Sequence, residues 1–473
     1  MPFYNHNNGD INAIETRGKK SKAKAKIHSY AKWQKVDIMP RATYFSYAKN
    51  IAQVYNFPTP IINTIVIGVI SLGGGLFGTV NGNILTNGDV QAYWTSQGIT
   101  SQPTVAIVSV SGGVNNPAGD LNSTIENTID VETIGSCCPG SNVIIIMYIA
   151  PNSFAGFYNV FNYAFNTPVS VNSQLVKPSV VSCSWGTAEA NYTSTQLSNF
   201  NTLFRNATSN GINICCASGD NGSSDGLRGL NVDFPGSSPY VTCCGGTTLT
   251  CPTLTYSGAG TTETAWSGSG GGLSRTFNSP TYQTNLQQTK RSVPDIAMDA
   301  DPSTGVMYLV NNTNYIVGGT SIVSPAMSAF LGSIGYSTFF NMRLYSLKSS
   351  AFHDIVSGSN GGYRAKGGYD NVTGLGSING QEIKTEINNW IAVTSVSLNF
   401  TTKTIPRRTN QTLTPTVLPA NATNNTVVWK SSNTTTATVN QSGVVSALRV
   451  GTTTITATTN DGWLSATCSV TVI

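Results

Sequence analysis

The sequence predicts an α/β protein, a parallel sheet flanked by helices, followed by a small all-β sandwich. Two observations carry this. From residue 43 to about 390, continuous apolar runs ending in Gly, Ser or Asp alternate with amphipathic stretches, the pattern of parallel strands covered on both faces. From about 392 the texture becomes short alternating Val, Thr, Ile and Leu runs with no helix signal, which reads as a sandwich.

The elements follow in order. Residues 1–42 hold nine of the 26 Lys/Arg and three of the 21 acids, which leaves 17 basic against 18 acidic residues for the rest. The net charge of +5 therefore belongs to a tail around "RGKKSKAKAKIH". Such a run is expected to be a solvated, disordered arm able to contact an acidic surface. The body has no basic patch that would argue for a nucleic-acid enzyme. "IINTIVIGVISLGGGLFG" (61–78) reads as a buried strand entering a Gly-rich loop. Asn63, Thr64 and the glycines leave it too short and broken for a membrane span of about 20 apolar residues. "TVAIVSV" (104–110), "NVIIIMYIA" (142–150), "PSVVSCSWG" (178–186) and "INICCASGD" (212–220) read as strands, and "STQLSNFNTLFRNATSNG" (194–211) as a helix. In such a layout, sites gather beyond the carboxyl ends of the strands. "VTSVSLNF", "TVVWKSS", "TATVNQSGVVSAL" and "TTTITATT" supply the sandwich. This stretch, residues 392–473, resembles the bacterial Ig-like domain of group 2, a module that implies a spacer or a surface- or partner-binding role.

A chain of 473 residues has room for two or three domains. Its charged fraction is 10%, against about 25% in an average protein, with Asn, Ser, Thr and Gly in place of Lys and Glu. Such a surface suits an extracellular, particle-associated or acidic compartment better than the cytosol, although "MPFYNHNNGD" lacks the apolar segment of a signal peptide. Six of the nine Cys lie in adjacent pairs, and no C-x-x-C spacing for zinc occurs. Buried free thiols are the expectation, with one or two long-range disulfides as the alternative.

The chemistry starts from "GGTSIVSPAM" (318–327). A Ser after Gly-Gly-Thr, with Pro four residues on, looks like a nucleophile opening a helix, and Ser321 would need a base. The chain has three His, at 6, 28 and 353. The first two fall in the basic tail, where no ordered site is expected, so a Ser-His-Asp triad is poorly supported. A carboxylate can serve instead. "LNSTIENTIDVETI" (121–134) places Glu126 and Asp130 four residues apart, on one face if helical. Two carboxyls that close share a proton and titrate as a pair.

The Ser motif and this pair together resemble the sedolisin family, the serine-carboxyl peptidases. "SYAKNIAQVYNFPTP", "ENTIDVETIGSCCPGSNVIIIMYIAPN", "VVSCSWGTAE", "CCASGDNGSSDG", "FPGSSPYVTCCGGTTL", "SGSGGGLSRTFNSPTYQ" and "RSVPDIAMDADPSTG" follow in the family's order over residues 41–388. The resemblance implies a subtilisin-like fold for residues 43–390 and endopeptidase action on protein or peptide substrates at acid pH. It implies Ser321 as nucleophile, Glu126 as general base, Asp130 as its hydrogen-bonding partner and Asp220 at the oxyanion hole. Ser182, Trp185 and Gly186 match the strand that pairs with substrate. A protonated Asp220 would donate to a developing oxyanion. "FHDIVSGSNGGYRAKGGYDNVTGLGSING" (352–380) carries Asp354 and Asp370 in a Gly-rich loop, oxygen chemistry that suits Ca²⁺. The family's site would use Asp354, Ile355, Lys366, Gly368 and Asp370, with Lys366 standing where Gly is expected. Sedolisins are normally made with a large prosegment, and only about 42 residues precede the matching region. The alternative function is a structural or adhesive surface protein that keeps the fold without proteolysis.

Overall fold

The computed structural model describes residues 26–35, 47–462 and 464–473. The chain divides into two compact units. The first takes in the described residues up to Pro280 with Leu286–Asn341 and Lys348–Lys384; the second joins Thr385–Ile473 to Thr281–Asn285 and Met342–Leu347.

The first unit runs β1 (His28–Ser29), β2 (Lys32–Lys35), β3 (Ile65–Leu72), β4 (Thr104–Ser109), α1 (Leu121–Cys137), β5 (Val143–Ala150), α2 (Phe154–Asn166), β6 (Val180–Cys183), β7 (Trp185–Ala188), α3 (Ser194–Ser209), β8 (Asn213–Ala217), β9 (Asp233–Phe234), β10 (Thr242–Thr250), β11 (Ile296–Asp299), β12 (Thr313–Gly318), α4 (Thr320–Ser333) and β13 (Ser377–Ile378), with shorter elements between. Strands β13-β11-β10-β8-β6-β3-β5-β4 lie side by side, every neighbouring pair parallel.

The apolar runs are continuous because both faces of this sheet are covered. Every residue of β3 and β5 is buried. Along β3 the side chains alternate: Val66, Ile70 and Leu72 join a cluster with Phe157, Phe161 and Phe204 of α2 and α3, while Ile65 and Ile67 meet α4 at Gly332. Helix α1 is capped by Asp120, whose carboxylate accepts the Ser123 amide at 3.2 Å, a favourable N-cap. It is buried at every position from Ser123 to Cys137, so its carboxyls are not a solvated acidic face. The Gly-rich loop after β3 lies against it. Gly74 has φ +63°, and a Cβ there would stand 2.6 Å from the Thr124 amide, so this approach requires glycine.

One expectation fails. Residues 26–35 of the basic tail are not a disordered arm: β1 pairs antiparallel with β7, and β2 with β12. The remainder of the 1–42 tail, with His6, lies outside the described residues. All nine cysteines are free and buried. Among the described residues no helix is long and apolar enough to cross a membrane.

The second unit is all-β through Ser395–Val472. Its core is Ile405, Leu413, Trp429, Val445, Ile455, Cys468, Val470 and Val472. Strand Gly451–Thr459 alternates buried and partly exposed residues from Thr453 onward, the period of a half-buried strand.

Candidate active site

The site lies beyond the carboxyl ends of β6 and β8, against the N-terminus of α4. Asp220 follows β8 by three residues, and Ser321 is the second residue of α4. Glu126, Asp130 and Ser321 are fully buried, and Asp220 almost so. Asp220 Oδ1 accepts both the amide and the hydroxyl of Thr320 at 2.8 Å each, which ties it to the residue before Ser321. Among the described residues its Oδ2 has no hydrogen-bond partner. Gly319 precedes the helix with φ +113°; a Cβ there would sit 2.5 Å from Asp220 Oδ2 and 2.0 Å from the Tyr30 carbonyl oxygen. Only glycine lets these two oxygens converge beside the helix terminus.

Glu126 and Asp130 face the site from α1. Asp130 Oδ1 accepts the Ser184 hydroxyl at 2.7 Å, and that hydroxyl is also 3.4 Å from the Ser321 carbonyl. Pro325 explains why this carbonyl can take a side-chain donor: it sits four residues on in α4 and has no N–H to close the helical bond. Among the described residues Ser321 Oγ makes no hydrogen bond of good geometry, yet it lies close enough to Glu126 for its hydroxyl to favour the carboxylate form. Among the described residues, no histidine hydrogen-bonds Ser321; His353 stacks on Tyr256 at 3.4 Å.

Burial is the main cause of every shift here. It raises Glu126, with the Ser321 and Ala31 hydrogen bonds opposing it. It raises Asp130 well above the usual range, and the Glu126 charge raises it further. Both carboxyls are thus pushed toward their protonated forms, Glu126 up to about 8 and Asp130 well above the usual range, so Asp130 holds its proton the more tightly of the two. Burial pushes Asp220 up to about 6, against the opposing charge of Lys32 and the bonds from Thr320. It pushes Asp225 up to about 7, with the Asp220 charge adding to it.

The sequence reading missed the other occupant of this cleft. Residues 27–32 run through it. His28 and Ser29 pair with Gly186 and Trp185. The Ala31 amide donates to Glu126 Oε2 at 2.8 Å. The Tyr30 hydroxyl donates to Asp233, and Lys32 Nζ donates to the Asp220 carbonyl at 2.6 Å. Trp185 and Gly186 thus lie on a strand that does hold a peptide. Ser182 does not face it: its hydroxyl pairs with Ser324 Oγ at 2.9 Å beneath α4. Ser184, two residues on, reaches Asp130 instead.

The acidic loop lies elsewhere in the unit. Asp354 Oδ2 accepts the Gly368 amide at 3.0 Å, and Asp370 Oδ2 the Lys366 amide at 3.2 Å. Asp370 Oδ1 takes the amides of Val372 and Thr373. Ile355 is buried. Among the described residues, no three His, Cys, Asp or Glu side chains gather as a metal cluster.

Comparison with known proteins agrees with this architecture. Residues 392–470 match the family model of the bacterial Ig-like domain (group 2). Kumamolisin of Bacillus sp. (strain MN-32) is 36% identical over 358 residues, 69% of this chain and 61% of kumamolisin. Sedolisin of Pseudomonas sp. (strain 101) is 31% identical over 331 residues, 63% of this chain and 55% of that one. The chain thus spans about three fifths of the length of these curated relatives. The solved structure of Pseudomonas sedolisin (serine-carboxyl proteinase), complexed with two molecules of pseudo-iodotyrostatin, superposes with a TM-score of 0.63 at 24% identity, covering 74% of this chain and 99% of that one. By sequence and by fold, the chain is a homologue of kumamolisin and sedolisin that carries a bacterial Ig-like domain of group 2.

Proposed function

We propose that the chain is an acid-acting serine-carboxyl endopeptidase. One observation carries the reading: a peptide bond, Tyr30–Ala31, lies with its nitrogen on Glu126 and its carbonyl oxygen beside Gly319 and Asp220. In this reading Ser321 attacks the substrate carbonyl and forms an acyl-enzyme. Glu126 takes the Ser321 proton and returns it to the leaving nitrogen. Asp130 orients Glu126, and protonated Asp220 donates to the oxyanion. The relatives' names, kumamolisin and sedolisin, the latter described as a serine-carboxyl proteinase, support peptide substrates. The test is cleavage of a mixed peptide library at acid pH. Glu126→Gln and Ser321→Ala should each lower kcat by about a thousandfold or more with unchanged circular dichroism. A Glu126→Gln variant that cleaves like the parent would sink the assignment.

We also propose calcium at the acidic loop, held by Asp354, Asp370 and carbonyls of Ile355, Lys366 and Gly368. The fit rests on two carboxylates that both grip segment 366–368, a hard-oxygen donor set. Lys366 lies outside the left-handed region, so a carbonyl ligand there does not require glycine. The ion would tie the loop; no step of the reaction passes through it.

A further inference from the structure

The second unit holds a pocket of about 310 Å³ that the peptidase reading does not use. It is built within that unit: Thr281–Asn285 and Met342–Leu347 supply part of the lining, and the loops around Asn424 and Asn460 the rest. Its size suits a small ligand, since such sites run from about 300 Å³ upward. Among the described residues, no Asp, Glu, Lys, Arg or His lines it. Arg343 and Asp461, each next in sequence to a lining residue, are paired with each other at 3.5 Å. An anion or a metal ion therefore finds no opposite charge there.

The lining consists instead of amides and hydroxyls held in a fixed order. The Thr426 amide donates to Asn424 Oδ1 at 3.2 Å. A backbone N–H can only donate, so the orientation of that side chain is settled. The Thr426 hydroxyl gives its proton to the same oxygen at 2.6 Å. It must then accept from Asn460, whose Nδ2 stands 2.7 Å away. Asn424 Nδ2 in turn donates to Ser346 Oγ at 2.8 Å. These side chains form one connected network, in which each bond fixes the next. At its head, Asn460 Oδ1 is buried and, among the described residues, without a partner. The unmet group is an acceptor recessed in the wall, so the ligand group that completes it is a small donor, a hydroxyl.

The aromatic part of the lining is equally fixed. The half-buried ring of Tyr345 lies 5.2 Å from that of buried Tyr282, and Gln283 Nε2 donates to its hydroxyl at 2.7 Å. A rigid ring beside amides and hydroxyls offers an apolar face and hydrogen bonds together. An uncharged molecule with that double character is a pyranose: its C–H face is apolar, and its hydroxyls both donate and accept. Independently of the peptidase reading, we propose that this pocket binds a neutral glycan, with one hexopyranose stacked on Tyr345 and its hydroxyls bonded to Asn460 and Asn285. The unit that contains the Ig-like domain thereby tethers the chain to a carbohydrate-bearing surface.

The test titrates the full chain with neutral trisaccharides (maltotriose, cellotriose, mannotriose and triacetylchitotriose) and with trigalacturonate as their acidic counterpart. Calorimetry and saturation-transfer NMR give the readout. At least one neutral trisaccharide should bind with a Kd of about 1 mM or tighter. Trigalacturonate should bind about tenfold or more weaker than that sugar, because its carboxylates lose water and gain no partner. Tyr345→Leu removes the platform and should weaken binding about tenfold or more. Asn285 is exposed, so Asn285→Ala leaves the fold alone and should weaken binding about threefold or more; it decides the matter even if Tyr345→Leu misfolds. The proposal is overturned if no neutral trisaccharide binds below about 10 mM, or if neither variant moves the Kd. It is overturned equally if trigalacturonate, or the neutral peptide Gly-Asn-Thr-Asn-Gly, binds as tightly as the best neutral sugar.

Discussion

The hydroxyl of Ser184 donates to Asp130 Oδ1 at 2.7 Å and lies 3.4 Å from the carbonyl oxygen of Ser321. One side chain thus touches both the orienting carboxyl and the backbone of the proposed nucleophile. Among the described residues Asp130 Oδ2 has no hydrogen-bond partner, and Ser184 is the only side-chain donor to that carboxyl. Its hydrogen bond opposes the upward shift that burial imposes on Asp130. Ser184→Ala should therefore do two things. It should lower kcat by about tenfold, the cost of leaving a buried polar group unpaired. It should also move the rising limb of the pH profile to higher pH, because the pair loses a donor that favours its ionised form. Ser184→Thr, which keeps the hydroxyl, should restore the limb. A drop in kcat with an unmoved limb would make Ser184 a packing residue only.

Much of this site was legible because its signals are local. The spacing of Glu126 and Asp130 marks one helix face, and the parallel strands announce themselves by burial on both sides. The rest depends on pairings that leave no local period. His28 finds Gly186 and Lys32 finds Gly318, from a stretch whose composition reads only as a charge run. The resemblance grouped Ser182 of "SCSWG" with Trp185 and Gly186 on the substrate-pairing strand, and for Ser182 the structure differs. On an extended strand Ser182 and Ser184 share a face, but β6 ends at Cys183. Ser182 therefore stays under α4, while Ser184 turns to Asp130. The Ser321 carbonyl was legible in principle, since Pro325 cannot serve as its helical donor.

Calcium makes a prediction separable from catalysis. If the ion binds only the folded loop, it stabilises by mass action. EDTA should lower the Tm of the parent by several degrees, and added Ca²⁺ should restore it. Asp370→Ala also loses the amide bonds to Val372 and Thr373, so its Tm should fall even without chelator, and Ca²⁺ should no longer raise it. Identical melting of the parent with EDTA and with Ca²⁺ would remove the ion from the loop.

The buried carboxyls set the pH range of stability. Asp220 is pushed up to about 6 and Asp225 to about 7, both from an ordinary value of 3.8. A carboxyl whose proton is held more tightly in the folded state stabilises when protonated. That contribution is complete below the unfolded value, near 4, and is lost as pH rises through about 6 and about 7. A tenfold difference in proton affinity is worth ~1.4 kcal/mol, so the two groups together account for several kcal/mol. The Tm should be highest near pH 4 and fall by roughly 10 °C by pH 8. Asp225→Asn should flatten the upper part of that fall. A Tm that climbs from pH 4 to pH 8 would contradict the burial of these groups.

Asp220 should also set the falling limb of activity. Its Oδ1 is taken by Thr320, and its partnerless Oδ2 and the Tyr30 carbonyl oxygen meet at Gly319. Oδ2 is therefore where a proton would be donated to the oxyanion. Such a donor exists only below its titration, so kcat/KM should fall about tenfold for each pH unit above about 6. Lys32 is the largest opposing influence on Asp220. Lys32→Gln should therefore move that limb upward. Asp220→Asn offers a sharper check. Its amide oxygen can keep the two Thr320 bonds, which leaves the amide nitrogen to donate at every pH. The variant should be slower than the parent at pH 4, since a neutral amide is a weaker donor than a carboxylic acid, but it should show no falling limb between pH 6 and pH 8. The rising limb, which the proposed mechanism gives to Glu126 and Asp130, should remain. If the variant loses activity above pH 6 as steeply as the parent, the limb has another owner and Asp220 is not the oxyanion donor.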